Sequence, residues 1–285
     1  MKELLEKIAV FLEKKEKTAD TRMFKEIQPQ KEKVCFIDGG HADLLHSADF
    51  LFSFLRIIAI TYENNKKQSI EKKECYLLVI RENEQYETWC APSLLASETF
   101  SLYDDELAGK NQKVPIRTIS GIMRRMLELQ TAKENSSCVV LDGSLEGKNT
   151  REEKMLKSLG KNVFGLSKTS DEIAFHHSEK KAGYYLYKKN AFITYFVKLH
   201  KDAKKTFRFD SFTENVDAVL GSLKENSTDP TLLGYPFGLI LADKFARITN
   251  KEKDMLLTKA KMQLGKKWKD LVLEDTHDIL DKLSY

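Results

Sequence analysis

Two short apolar runs stand out in the hydrophobic pattern because each ends at an Asp-Gly pair. They are residues 34–39 (Val-Cys-Phe-Ile-Asp-Gly) and residues 138–143 (Cys-Val-Val-Leu-Asp-Gly). Apolar runs of this length, bounded by turn residues, are typical of strands covered on both faces. We call each such strand end with its Asp-Gly pair a corner. Asp-Gly is also a common turn dipeptide, so one corner alone would be weak evidence for a functional site. Two matched corners predict neighbouring strands that hold Asp38 and Asp142 at one sheet edge.

The rest of the pattern alternates between helical and strand periods. Thr249 followed by Glu252 has the form of a capping box and predicts the start of a helix. The succession of strands, helix, strand, helix and strand predicts an α/β protein. The predicted helices cover residues 2–16, 117–132, 150–159, a segment from 235, and 274–283, and the predicted strands cover residues 33–38, 50–62, 74–81, 85–90, 137–142, 162–166, 184–187, 192–199 and 206–209.

Composition narrows the class of protein. A hydrophobic fraction of 41% over 285 residues is typical of a soluble globular protein with a sizeable core. The most apolar stretch, residues 50–60, contains Arg56 and is too short to span a bilayer. The cysteines lack CxxC spacing and the N-terminus is too charged for a signal peptide, so we expect free thiols and a cytoplasmic protein. The net charge of +4 permits a nucleic-acid partner without requiring one.

Three carboxylates fall on successive elements of the predicted order. Asp38 ends the first buried strand, Glu128 lies on the helix after the antiparallel strands, and Asp142 ends the next strand. This order is similar to the ribonuclease H-like fold, in which three acids converge on two divalent cations. Two such ions, about 4 Å apart, can activate water and stabilise the leaving oxygen of a phosphodiester. Glu128 also fits an ordinary surface pair with Arg124, and the spacing leaves both interpretations open.

Five motifs in order resemble those of the NurA family of archaeal and bacterial DNA nucleases. The two strand ends resemble its Asp-Gly-Ser and Asp-Gly-Pro-Leu motifs, with Gly40 and Ser144 in place of the serine and the proline. Residues 123–128 resemble its acidic helix with an upstream arginine. Residues 165–168 resemble its Gly-hydrophobic-x-Lys strand end, and residues 234–249 its Tyr-Pro…Ala-Asp-x-x-Ala-x-Ile-Thr block. The resemblance covers roughly residues 30–280.

The resemblance implies a ribonuclease H-like mixed sheet flanked by helices, with an N-terminal helix and a C-terminal α+β extension. The implied domains are a helix and linker over residues 1–30 and a nuclease domain over residues 31–285. Asp243 is interpreted as a residue that supports the site more than one that takes part in catalysis. The resemblance assigns catalysis to Asp38, Glu128, Asp142 and Lys168, and binding of Mn²⁺ or Mg²⁺ to Asp38, Glu128, Asp142 and His277.

The resemblance also implies an activity and partners. The protein is expected to degrade DNA from its ends, 5′ to 3′, with endonuclease action on single strands. It is expected to act as a homodimer with a HerA-type hexameric ATPase in DNA end resection and repair. One alternative is a weakly catalytic relative that only bridges DNA and the ATPase, which the three retained carboxylates argue against. The other is a nuclease for RNA or hybrids, which the shared metal chemistry leaves open.

Overall fold

The computed structural model describes residues 1–20, 24–168 and 181–267. The chain divides into two compact units. The first comprises Met1–Gly39, Ile57–Lys73 and Arg125–Ala246. The second comprises Gly40–Arg56, Glu74–Arg124 and Arg247–Tyr285. The expected boundary near residue 30 stays a prediction.

The described residues form helices and strands whose bounds are as follows. The helices are α1 Lys2–Asp20, α2 Asp105–Ala108, α3 Ile116–Glu134, α4 Thr150–Lys157, α5 Asp217–Glu225, α6 Phe237–Ala246 and α7 Asn250–Leu264. The strands are β1 Lys25–Glu26, β2 Val34–His46, β3 Phe50–Glu63, β4 Lys66–Glu82, β5 Gln85–Ala91, β6 Thr99–Ser101, β7 Cys138–Asp142, β8 Val163–Ser167, β9 Gly183–Lys189, β10 Ile193–Lys198 and β11 Phe207–Ser211.

The first unit contains a mixed sheet with the strand order β1-β9-β10-β11-β8-β7-β2-β3-β4. β2, β7 and β8 are parallel, whereas β8, β11, β10 and β9 alternate in direction. β8 is buried along its whole length, as expected for a parallel strand covered on both faces. The core includes Phe36, Tyr62, Phe164 and Phe209, and the last two rings stack with centroids 5.5 Å apart. The predicted α/β class, with a mixed sheet flanked by helices, is confirmed.

The second unit contains the remaining parts of β2, β3 and β4 together with β5 and β6, and β4, β5 and β6 pair antiparallel. Buried Arg56 on β3 donates from Nε to Glu74 Oε1 at 2.7 Å. Its guanidinium also binds Glu252 and, at 3.3 Å, the carbonyl of Arg247. Arg56 thereby fastens the start of α7 to β3. Thr249 caps α7 by accepting from the N–H of Glu252, which confirms the predicted helix start.

Some elements differ from the predicted ones. β4 begins at Lys66 and not at residue 74, because a lysine-rich, exposed segment forms its first half. The turn between β3 and β4 is the pair Asn64 and Asn65, both with positive φ. α5 was not predicted, although Val216, Val219, Leu220 and Leu223 recur at helical spacing and are buried. α2 and the short strands β1 and β6 were not predicted because they are too brief to show an apolar period. The predicted helix at 274–283 lies outside the described residues. Among the described helices, none has the length and apolar character needed to cross a membrane.

Candidate metal centre

Parallel pairing places Asp38 beside Asp142. The register of β2 with β7 joins Ile37 to Leu141, and the next residue of each strand is an aspartate. β7 ends at Asp142, and Gly143 has φ +110°, a left-handed backbone that favours glycine. The second predicted corner and the pairing of the two strands are therefore confirmed.

The first predicted corner is wrong. β2 continues through Gly39 and Gly40 to His46, so Asp38 lies within a strand and not at its end. Gly39 serves close packing there instead of a turn. An ideal Cβ at this position would lie 2.5 Å from Oε1 of Glu128 and 2.6 Å from Cδ1 of Ile57.

α6 brings a third carboxylate to this pair. One carboxylate oxygen from each of Asp38, Asp142 and Asp243 lies within 4.8 Å of the others. α6 can approach β2 closely because Gly238 has no side chain, and a Cβ there would overlap the ring of Phe36. The structure thus groups Asp243 with two predicted ligands, whereas the sequence favoured a supporting role.

Glu128 on α3 lies against the backbone beside Asp38 and is only 2% exposed. Arg125 donates from Nη1 to Glu128 Oε2 at 2.8 Å and from Nη2 to the carbonyl of Ser144 at 2.8 Å. Arg125 therefore connects Glu128 to the loop that follows β7. The burial of Glu128 rules out the interpretation of this residue as one half of an exposed surface pair.

The electrostatics of the cluster favour a cation. The pKa of Asp38 is raised to about 7, first by burial and then by the negative charges of Asp142 and Glu128. The N–H of Gly39 donates to Asp38 Oδ1 at 2.8 Å, which lowers this pKa in part. Converging carboxylate oxygens with excess negative charge are the ligands that hard divalent cations prefer. The residues present therefore fit a divalent metal ion.

Both oxygens of Asp142 have partners. Lys168, directly after β8, lies with Nζ 2.6 Å from Asp142 Oδ2. The hydroxyl of Tyr235 donates to Asp142 Oδ1 at 3.3 Å, and its ring lies 5.3 Å from the Lys168 ammonium. Burial, followed by the charge of Asp142, raises the pKa of the Tyr235 hydroxyl. The sequence indicated Lys168 through its motif but gave Tyr235 no role, although the Tyr-Pro pair marked its position.

The structure thus brings together four of the five predicted site residues, Asp38, Glu128, Asp142 and Lys168, and adds Asp243 and Tyr235. The predicted ligand His277 lies outside the described residues and stays a prediction.

Comparison with known families identifies the chain. A family model described as the NurA domain matches residues 32–248. The chain belongs to the NurA family. This membership confirms the predicted family and the predicted enzyme class, a nuclease that hydrolyses phosphodiesters. No curated protein sequence matches the chain.

Solved NurA structures share the fold. The NurA nuclease from Sulfolobus solfataricus is 15% identical and aligns over 95% of this chain and 96% of its own, with a TM-score of 0.58. A NurA bound to dAMP and manganese is 10% identical over 93% and 96% of the two chains, with a TM-score of 0.56. A further NurA is 8% identical over 96% and 98%, with a TM-score of 0.50. The predicted ribonuclease H-like class therefore agrees with the NurA fold.

Proposed function

We propose that the protein is a metal-dependent DNA nuclease whose active centre is the carboxylate cluster of the first unit. The observation that carries the proposal is the convergence of Asp38, Asp142 and Asp243 within 4.8 Å. Three strand- and helix-borne carboxylates held this close repel one another, and a bound cation relieves that repulsion. Glu128, buried against Gly39, is the fourth member.

Mn²⁺ or Mg²⁺ suits this donor set, since both prefer carboxylate oxygen and water. Asp38, Asp142 and Asp243 would hold the ion, and Glu128 would hold it or orient its water. Such an ion supplies Lewis-acid stabilisation of the phosphoryl group and a water nucleophile at neutral pH. The NurA structure bound to dAMP and manganese supports this proposal by analogy.

Lys168 and Tyr235 both bind Asp142, and we assign Lys168 a further contact with the substrate. The Lys168 ammonium, exposed at the rim and 2.6 Å from Asp142, can shift to a phosphate oxygen and stabilise the negative charge of the transition state. Tyr235 is 4% exposed, so its hydroxyl has little freedom and keeps the Asp142 carboxylate in one orientation. His277 is retained as a proposed further ligand.

At a finer level, we place the enzyme in the cytoplasm as a homodimer that degrades DNA 5′ to 3′ and cuts single strands. A HerA-type ATPase would deliver DNA during end resection and repair. Family membership supports these assignments. The exposed apolar side chains of α1 supply a surface for such assembly, since Leu4, Leu5 and Ile8 are each more than half exposed in the single chain.

The decisive experiment is cleavage of labelled single-stranded DNA, duplex DNA, RNA and hybrid, each with Mn²⁺, Mg²⁺, Ca²⁺ or EDTA. We expect DNA cleavage with Mn²⁺ or Mg²⁺ and none with EDTA or with Ca²⁺, whose looser coordination aligns the attacking water poorly. Full cleavage in EDTA would contradict the proposal. A preference for RNA or hybrid would reassign the substrate, and inactivity in all metals would favour a role that only bridges DNA and the ATPase.

A further inference from the structure

We propose that the β10–β11 loop, residues 199–206, binds the phosphates of the nucleic-acid strand next to the scissile one. This inference rests on the proposed function, because it assumes that a phosphodiester strand reaches the carboxylates. The loop would add a binding surface for the substrate strand, because none of the site carboxylates lies within residues 199–206.

The strand register places this loop at the end of the sheet where β7 and β8 have their C-termini, which is where the carboxylates lie. β11 runs antiparallel to β8 and Arg208 pairs with Ser167, the residue before Lys168. The residues that precede β11 therefore lie beside Lys168. β8 is parallel to β7, so this is also the edge at which Asp142 ends its strand.

Packing fastens the loop to the site. Ala203 is buried against Gly234, where an ideal Cβ would lie 2.5 Å from the Ala203 Cβ and where φ is +90°. The next residue, Tyr235, packs its ring on Phe207 with centroids 5.1 Å apart. The Tyr235 hydroxyl donates to Asp142. Tyr235 therefore contacts both Phe207, the residue directly after the loop, and the carboxylate of Asp142.

The loop and its flanks are strongly basic. Residues 198–206 contain four lysines, Lys198, Lys201, Lys204 and Lys205, and a single acid, Asp202. Asp202 lies 3.8 Å from Lys201 Nζ, so its charge is offset within the loop. Lys204 and Lys205 are exposed, and within the described part of the chain neither forms an ion pair.

The chemistry favours a polyanion over a compact anionic ligand. The loop lysines are exposed, and their loop leads into β11 at the end of the sheet where Lys168 follows β8. Exposed ammonium groups bind backbone phosphates with little sequence preference and release counterions as they do so. A row of lysines that leads to the carboxylates can hold the strand while its scissile phosphate occupies the site.

The test is binding of a fluorescent oligo-thymidylate, followed by anisotropy in EDTA so that no cleavage occurs. In Lys204→Gln/Lys205→Gln we expect affinity to fall by roughly tenfold at about 0.1 M salt. The slope of log affinity against log salt should become shallower by about 1.4, since each phosphate contact on a single strand contributes about 0.7. Lys204→Arg/Lys205→Arg should retain wild-type affinity because it keeps the charges.

The matched control is Lys133→Gln/Lys161→Gln. Both lysines are exposed. Lys161 precedes β8 and Lys168 follows it, so the two residues lie at opposite ends of this strand, on the order of 16 Å apart. We expect this control to bind like wild type. Equal losses in both Gln pairs, an unchanged slope in the Lys204/Lys205 pair, or no binding by wild type would overturn the proposal. The binding titration needs no catalysis. A protein that binds DNA but does not cleave it would therefore contradict the proposed function and leave the proposed phosphate-binding loop supported.

Discussion

The carboxylate of Glu128 occupies the space that a Cβ at position 39 would need, with Oε1 2.5 Å from the ideal Cβ position. Glycine at this point is therefore a packing requirement of the site. Any larger residue must displace both Oε1 of Glu128 and Cδ1 of Ile57, which lies 2.6 Å from the same position. The glycine after the first aspartate thus determines where the helix-borne carboxylate can lie.

Gly39→Ala should consequently destabilise the protein by about 1–3 kcal/mol, the usual cost of overpacking, and reduce cleavage by shifting Glu128. Gly121→Ala is the control, because nothing lies within 4 Å of an ideal Cβ there and alanine favours helix. Chemical unfolding and DNA cleavage measure the two effects. Equal behaviour of the two variants would show that Gly39 does not determine the position of Glu128.

Asp243→Asn tests the carboxylate that α6 contributes. Because its oxygen lies within 4.8 Å of those of Asp38 and Asp142, we expect weaker Mn²⁺ binding by calorimetry and a loss of cleavage of at least about a hundredfold. Asp229→Asn, which alters the half-buried cap of a short 3₁₀ turn, should leave both unchanged. If Asp243→Asn bound Mn²⁺ as tightly as wild type, Asp243 would not be a metal ligand and would only support the site.

The stability of the metal-free protein should depend on pH through Asp38. Its pKa is raised from the usual 3.8 to about 7, so the folded chain retains a proton that the unfolded chain releases. The free energy of unfolding should therefore fall as pH rises from about 4 to about 7, by up to about 4 kcal/mol relative to Asp38→Asn. Urea unfolding of both proteins in EDTA measures this difference. A wild-type free energy of unfolding that stays constant or rises relative to that of Asp38→Asn over this pH range would contradict the sign.

Asp210 is fully buried and accepts hydrogen bonds from Thr194, from Arg208 and from the N–H of Leu145 in the loop after Asp142. Removing it leaves the Arg208 guanidinium, whose side chain is 12% exposed, with the exposed carboxylate of Glu146 and the ring of Phe192 as partners. We expect Asp210→Ala to cost about 3–5 kcal/mol of stability, and also activity, because the loop loses its anchor.

Glu146→Gln is the matched control for this network. Its side chain is 60% exposed, so breaking its pair with Arg208 should cost less than about 1 kcal/mol. Thermal unfolding and cleavage rates distinguish the two variants. A similar cost for both would mean that Asp210 contributes no more than a surface ion pair.

α1 carries the prediction about assembly. Leu5 and Ile8 are 57% and 53% exposed, which leaves apolar surface for a second copy or a HerA-type ATPase. Leu5→Gln/Ile8→Gln should reduce dimer content in sedimentation or capture of the ATPase. Glu3→Gln/Lys7→Gln removes only an exposed ion pair and should change neither. Unchanged dimer content and ATPase capture in the first variant would exclude α1 from both contacts.

Much of the fold was predictable because the parallel strands are nearly continuous apolar runs. β7 and β8 match their predicted bounds to within a residue, and the capping box located α7. β4 was underestimated because its first half is lysine-rich and exposed, which removes the apolar signal. Local pattern predicted most elements that bury a regular face, although α5, whose buried face is regular, was missed.

The site was predictable only where each ligand had a local signal. Asp38 and Asp142 followed apolar runs, and motifs marked Glu128 and Lys168. The family motif also marked Asp243 but indicated only a supporting role, because its position beside Asp38 and Asp142 depends on the long-range packing of α6 on β2. Tertiary contacts of this kind are absent from spacing along the chain.

That dependence on α6 has a consequence for synthesis of the enzyme. Asp38 and Asp243 are separated by about two hundred residues, so a chain still on the ribosome carries Asp38 and Asp142 well before α6 exists. With Asp243 as a ligand, prematurely terminated chains lack a complete metal site. Truncated translation products would then lack the proposed nuclease activity.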